Sequence, residues 1–161
     1  ILPIGAGLLP VLVWPQLRPA WSLMQVENPR VRTALLGWLL IVVALVALIA
    51  AATSGATLID VARRLILTLL TGGAMVILSL AITVRWGVGW ALALTLFAAI
   101  FSVTIGGDVL AEGPLWAIAP TAWPETATTP ARFAIAAIAG AVLFVGSAIL
   151  ANRQLRGSAN R

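Results

Sequence analysis

Four long apolar stretches dominate the pattern of hydrophobic and polar positions along this chain. The most apolar, residues 34–52, contains no charged residue and no proline. As a helix it would be about 28 Å long at 1.5 Å per residue, close to the ~30 Å hydrocarbon thickness of a bilayer. A helix on the surface of a soluble protein would show a polar face, and this stretch has none. We therefore predict that it spans a membrane and that the rest of the chain is organised around it.

The same pattern recurs three more times downstream. Short loops between successive apolar stretches predict antiparallel neighbours. Small residues in two of the stretches indicate close approach of helices: Ala136 with Gly140 in one, and Gly72, Gly73 and Ala74 in the other, where a bend is the alternative. The predicted fold is all-α: a polytopic helical membrane protein with four full transmembrane helices and a short N-terminal apolar segment. The predicted transmembrane helices are residues 34–53, 61–84, 87–105 and 131–151.

The N-terminal segment, residues 1–14, is apolar but would reach only about 21 Å as a helix. Pro3 and Pro10 are expected to interrupt it. It is either an interfacial or re-entrant segment or the last part of a span that begins earlier. The second interpretation is favoured because the sequence begins with Ile1 rather than Met.

Residues 15–33 form the first polar stretch and are predicted to connect two apolar segments on the cytoplasmic side. Leu17, Trp21 and Met24 fall at positions i, i+4 and i+7, which predicts one apolar stripe on a short helix. Such a stripe either lies along the membrane surface or contacts a partner protein. The alternative is an ordinary loop with a tryptophan at the headgroup level.

Composition supports a membrane protein. Residues of hydrophobic type make up 61% of the chain and charged residues only 9%, whereas soluble domains carry about 25% charged residues. The net charge of +5 is explained by the excess of basic residues in cytoplasmic loops, and nucleic-acid binding is not predicted.

If the loop at Arg85 is cytoplasmic, most arginines fall on that side. These are Arg18, Arg30, Arg32, Arg85, Arg153, Arg156 and Arg161. We expect a multi-pass protein of the cell inner (plasma) membrane with a cytoplasmic C-terminal tail, residues 152–161.

The opposite side is predicted to hold the extracytoplasmic loop, residues 106–130, with a short interfacial helix inside it. At the same side Asp60, Arg63 and Arg64 begin the second transmembrane helix. They would form either a local ion pair at i, i+3 or i, i+4 or a charge cluster at the outer mouth that faces a substrate.

The chain contains no Cys, His, Lys or Tyr. Thiolate and imidazole chemistry, Schiff bases and phenolic catalysis are therefore excluded. No catalytic constellation, metal site or cofactor site is predicted, and the chain is not expected to be an enzyme.

The order of parts resembles the later two-thirds of an exporter-type ABC transporter permease, without the first span. ILPIGAGLLPVLVW would match the end of the second span, LRPAWSLMQVENPR the coupling segment, and PLWAIAPTAWP the external turn before the last span. The resemblance implies a permease subunit of an ATP-driven exporter, forming part of a substrate pathway. It also implies a second permease copy or homologue and an ATP-binding subunit that Leu17, Trp21 and Met24 would contact. Any ATP hydrolysis would be done by that partner.

A second function from a different class fits the same residues. The chain would be a small non-catalytic accessory subunit of a larger membrane complex, respiratory or secretory, that packs against lipid and partner proteins.

Overall fold

A computed structural model describes residues 2–21, 23–24, 30–53, 55, 57–106 and 113–157 of the chain. Within these ranges the protein is built from helices and contains no strand. Short 3₁₀ turns at Arg18–Ala20, Pro114–Ile118 and Pro120–Ala122 join some of the α-helices. The α-helices are α1 (Leu2–Leu17), α2 (Val31–Ala52), α3 (Leu58–Trp86), α4 (Val88–Gly106), α5 (Trp123–Thr126) and α6 (Pro130–Gly157).

Four of these helices, α2, α3, α4 and α6, are long and apolar enough to cross a membrane. The predicted fold class is confirmed, and the chain is a helical membrane protein. The helices extend beyond the predicted apolar stretches, because polar residues at their ends continue the helical pattern of backbone hydrogen bonds. Thus α3 begins at Leu58, where the Thr57 hydroxyl accepts a hydrogen bond from the backbone N–H of Asp60, and α6 continues through Arg153 and Arg156.

Helix α3 is the centre of the bundle. In its most apolar window 67% of the residues are buried, against 22% for α2 and α4 and 17% for α6. The expectation that residues 34–52 organise the chain is therefore wrong, since α2 lies at the periphery. Lipid tails are as apolar as leucine side chains, so an apolar helix is not favoured at the centre of a bundle over its periphery. Small and hydroxyl residues favour a central position because they allow close helix packing and hydrogen bonds, and α3 is rich in both.

The predicted close approach at small residues is confirmed. A Cβ atom added to Gly72 would lie 3.2 Å from Val43 Cγ1 of α2, and one added to Gly140 would lie 3.2 Å from Leu70 Cβ of α3. Ala136 is fully buried. Because these positions lack bulk, the neighbouring helices pack directly against the backbone of α3 and α6.

Helix α1 continues through Pro10 instead of breaking there. Pro10 lacks an N–H group, so the carbonyl of Ala6 loses its usual donor. One residue further on, the buried hydroxyl of Ser79 in α3 donates to the carbonyl of Gly7 at 2.6 Å. Packing of α1 lengthwise against α3 therefore stabilises a helix that the sequence pattern predicted to be interrupted.

Helices α1, α3 and α6 run in the same direction, so their C-terminal ends meet at one end of the bundle. Trp14, Val84 and Leu155 share one core cluster there. We call this the arginine end. Its described charged residues are all arginines: Arg18, Arg30, Arg32, Arg85, Arg153 and Arg156. The opposite end carries Asp60, Arg63, Arg64, Glu125 and Arg132. Which end faces the cytoplasm stays a prediction.

Candidate functional site

The segment that follows α1 packs against its own chain. Trp21 is only 2% exposed, and its ring meets the ring of Trp14 edge-on with centroids 5.1 Å apart. Met24 is half-buried and packs against the same cluster. Leu17 is also half-buried, whereas Leu23 is 68% exposed.

This arrangement changes what the apolar stripe can do. The stripe was predicted to offer Leu17, Trp21 and Met24 to a partner, but the ring of Trp21 is covered by the protein itself. Sequence spacing shows which side chains share a face and not what covers that face. A partner that approached this segment would meet Leu23 directly and Trp21 only through the packing beneath. A coupling role for the three predicted residues stays a prediction.

A cavity of about 590 Å³ lies at the arginine end, between the end of α1, the link from α3 to α4 and the end of α6. Its lining combines two arginines, three tryptophans and an amide: Arg18, Arg85, Trp14, Trp21, Trp86 and Gln154. The sequence pattern did not predict this cavity, because its parts come from three segments that are far apart in the chain.

A sharp turn between α3 and α4 builds one wall of the cavity. Only Gly87 separates the two helices, and its φ of +96° lies in the region that side chains disfavour. The Gly87 N–H donates to the carbonyl of Thr83 at 3.0 Å and closes the end of α3. Arg85, Trp86 and the first turn of α4 are thereby held around the same space.

Trp21, one of the residues that line the cavity, carries a polar atom without a partner among the described residues. The indole Nε1 of Trp21 is buried, and its N–H has no acceptor within the described residues. A buried N–H group without an acceptor is costly, by about 1–3 kcal/mol. Nε1 of Trp21 is the only buried side-chain nitrogen or oxygen atom without a hydrogen-bond partner in the described part of the bundle.

For Asp60, Arg63 and Arg64 at the opposite end, the sequence left open a local ion pair or a charge cluster at the outer mouth that faces a substrate, and the second stays a prediction. The hydroxyl of Thr57, which caps α3 by accepting from the backbone N–H of Asp60, itself donates to Oδ2 of Asp60 at 2.6 Å. Arg64 pairs with Glu125 of α5 at 3.7 Å rather than with Asp60. The predicted local ion pair is therefore wrong within the described residues, because the long guanidinium reaches a segment that the pattern could not place.

The turn before α6 is a small helical unit that packs on α3 and α4. The Trp123 indole N–H donates to the carbonyl of Trp116 at 3.0 Å. The Thr121 hydroxyl donates to the carbonyl of Ala98 at 3.3 Å. The guanidinium of Arg132 lies over the ring of Trp116, 5.2 Å from its centroid. These contacts fix the unit against the bundle. The acidic residues Asp108 and Glu112 of the predicted loop lie outside the described residues.

Comparison of the chain with family models, with curated proteins and with solved structures gives no match.

Proposed function

We propose that this chain is a membrane-embedded subunit that works inside a larger membrane assembly. The outward faces of α2, α4 and α6 support this, since only about one-fifth of the residues in each apolar window is buried by the chain itself. Large side chains such as Trp38, Leu96 and Val142 lie on these faces. They can pack against lipid or against the helices of partner subunits.

The assembly we propose is an ATP-driven exporter in which the chain is a permease subunit. The single observation that carries this is the order of parts: α1, a connecting segment, three long helices, a helical turn and a last helix with a basic end. That order resembles the later part of an exporter-type permease. A second permease copy or homologue would complete the substrate pathway. An ATP-binding subunit would hydrolyse ATP, and this chain would do no catalysis.

In this proposal the arginine end faces the cytoplasm of a cell inner (plasma) membrane. The positive-inside rule supports that orientation, since the described charges at this end are all positive. The ATP-binding subunit would then contact the segment after α1 from outside. Leu23 would make the direct contact, and Trp21 would support the segment from within.

An accessory subunit of a respiratory or secretion complex is the second candidate. The burial of Trp21 favours it, because the largest apolar ring of the predicted contact segment already serves the core of this chain. In this case the segment would only close the end of the bundle.

Purification from the native membrane in a mild detergent, with mass spectrometry of the proteins that copurify, separates the two candidates. Recovery of an ATP-binding subunit together with ATPase activity supports the exporter. Recovery of redox or secretion subunits instead contradicts the exporter and supports the accessory role.

A pair of matched variants sharpens this test. Leu23→Glu places a charge on the exposed part of the segment after α1 and should release the ATP-binding subunit. Leu58→Glu makes the same change at an 86% exposed position at the opposite end, and it should leave the complex intact. Equal retention of the ATP-binding subunit by both variants would contradict contact through this segment.

A further inference from the structure

We propose that the cavity at the arginine end binds the phosphate group of an anionic phospholipid. The proposal rests on the membrane location of the chain and on the geometry of the cavity. It does not depend on the exporter function, and the tests for the two use different readouts.

Electrostatics is the first argument. Arg18 and Arg85 line the cavity from two different elements, and the described residues around it include no carboxylate. Arginine guanidinium groups bind phosphate oxygens through paired hydrogen bonds. Basic pockets between transmembrane helices are typical binding places for acidic lipid headgroups.

The start of α4 adds a second source of positive potential. Val88, its first residue, lines the cavity. The first N–H groups of a helix have no carbonyl partners within the helix and form a favourable place for an anion. An anion in the cavity would therefore meet this helix start together with the two guanidinium groups.

The unpaired indole of Trp21 is the third and independent observation. Trp21 lines the cavity, is almost completely buried, and has no acceptor for its N–H within the described residues. An indole nitrogen is a donor only. A phosphate oxygen is an acceptor that would remove the penalty of leaving this group unpaired.

The surroundings favour a lipid over free phosphate. At about 590 Å³ the cavity lies within the range of small-molecule sites. Trp86, which lines it, is 60% exposed, as expected for a tryptophan at the membrane interface. The apolar surface of α4 continues from there through Trp90 and Leu96, both exposed. A lipid with its phosphate in the cavity could lay its acyl chains along that surface.

The two arginines also lie near the C-terminal ends of α1 and α3, where positive charge offsets the helix dipole. That role requires no ligand. It predicts that loss of the arginines would lower stability by the same amount with and without anionic lipid, whereas a lipid site predicts a loss that depends on the lipid.

The test is a titration of the purified, delipidated full chain with phosphatidylglycerol, followed by native mass spectrometry. We expect one phosphatidylglycerol to bind at least about tenfold more tightly than phosphatidylcholine with the same acyl chains. Arg18→Gln with Arg85→Gln should abolish this preference. Trp21→Phe keeps an aromatic ring, though a smaller one, and removes the N–H; it should weaken binding by about tenfold or more, as expected for a hydrogen bond to a charged acceptor.

Matched controls distinguish the cavity from general surface charge. Arg153→Gln removes a charge at the same end outside the cavity lining, and Trp38→Phe makes the tryptophan change at an exposed position of α2 outside that lining. Both should bind phosphatidylglycerol within about twofold of the parent chain. An equal loss in the controls, or equal binding of the two lipids, would overturn the proposal. Inorganic phosphate or glycerol phosphate binding as tightly as phosphatidylglycerol would show a free-anion site and would overturn the lipid assignment.

Discussion

Replacement of Gly73 by alanine tests how tightly α3 and α6 are packed. A Cβ atom at this position would lie 2.6 Å from Phe144 Cε2 and 3.0 Å from Phe144 Cδ2. It would also lie 3.2 Å from Leu40 Cδ2 of α2. Gly73 therefore lies where two neighbouring helices approach α3 together, and one extra methyl group has no room there.

The expected cost follows from these distances. Carbon atoms pack best at about 3.5–4.0 Å, so the ring of Phe144 must move by about 1 Å or α6 must shift outward. Overpacking of this kind costs about 1–3 kcal/mol. Alanine also favours a helix interior by up to about 1 kcal/mol relative to glycine. We therefore expect a net loss of about 0–2 kcal/mol in the free energy of unfolding.

A matched variant removes the helix-propensity contribution from the comparison. Gly146 lies in α6, and a Cβ atom there would meet nothing within 4 Å. Gly146→Ala should therefore be neutral or slightly stabilising, and the two alanine variants should differ by the packing cost of about 1–3 kcal/mol. The measurement is reversible unfolding of the purified chain in mixed detergent micelles.

A second substitution identifies the clash itself. Phe144→Leu in the Gly73→Ala background should recover part of the lost stability, because it removes the ring edge that the methyl group meets. The double variant would then be more stable than the sum of the single effects predicts. Equal stability of Gly73→Ala and Gly146→Ala, or strictly additive effects with Phe144→Leu, would refute this packing.

Three further substitutions probe other contacts in the same unfolding assay. Ser79→Ala removes the hydrogen bond to Gly7 and should cost about 0.6–1.7 kcal/mol; unchanged stability would contradict the docking of α1 on α3. Trp123→Phe removes the indole hydrogen bond to the carbonyl of Trp116, which keeps only the backbone N–H of Ala119 at 3.3 Å, and should cost about 0.5–1.5 kcal/mol; an exposed control such as Trp90→Phe should cost much less. Leu155→Ala creates a cavity at a fully buried position and should cost about 2–5 kcal/mol; a loss below about 1 kcal/mol would show that the end of α6 is not held in the core.

The four long helices could be predicted from the sequence because each is an uninterrupted apolar run of membrane length. Their relative positions could not be predicted from hydropathy. The most apolar helix, α2, lies outside, and the less apolar α3 lies at the centre. The sequence feature that indicates the central position of α3 is the pair of small residues Gly72 and Gly73, because small residues are typical of contacts between helices. Leucine gives no such indication, since its side chain packs equally well against lipid and against protein.

The cavity at the arginine end could not be predicted from local sequence patterns. The spacing of Leu17, Trp21 and Met24 predicts a shared face, but the ring that covers Trp21 is Trp14, from the helix before it. Arg18 and Arg85 are 67 residues apart in the sequence and line one space only because α1 runs parallel to α3. Contacts of this kind depend on how the helices pack, which a single sequence does not specify.

Site-directed labelling of single cysteines tests the central claim, that the long helices cross a lipid bilayer, most directly. The chain has no native cysteine, so each introduced thiol reports alone. In sealed vesicles, Leu58→Cys and Arg153→Cys should react with a membrane-impermeant maleimide from opposite faces, and Leu96→Cys, in the middle of α4, should react from neither. Labelling of the two end positions from the same face, or labelling of Leu96→Cys as fast as the ends, would contradict the account.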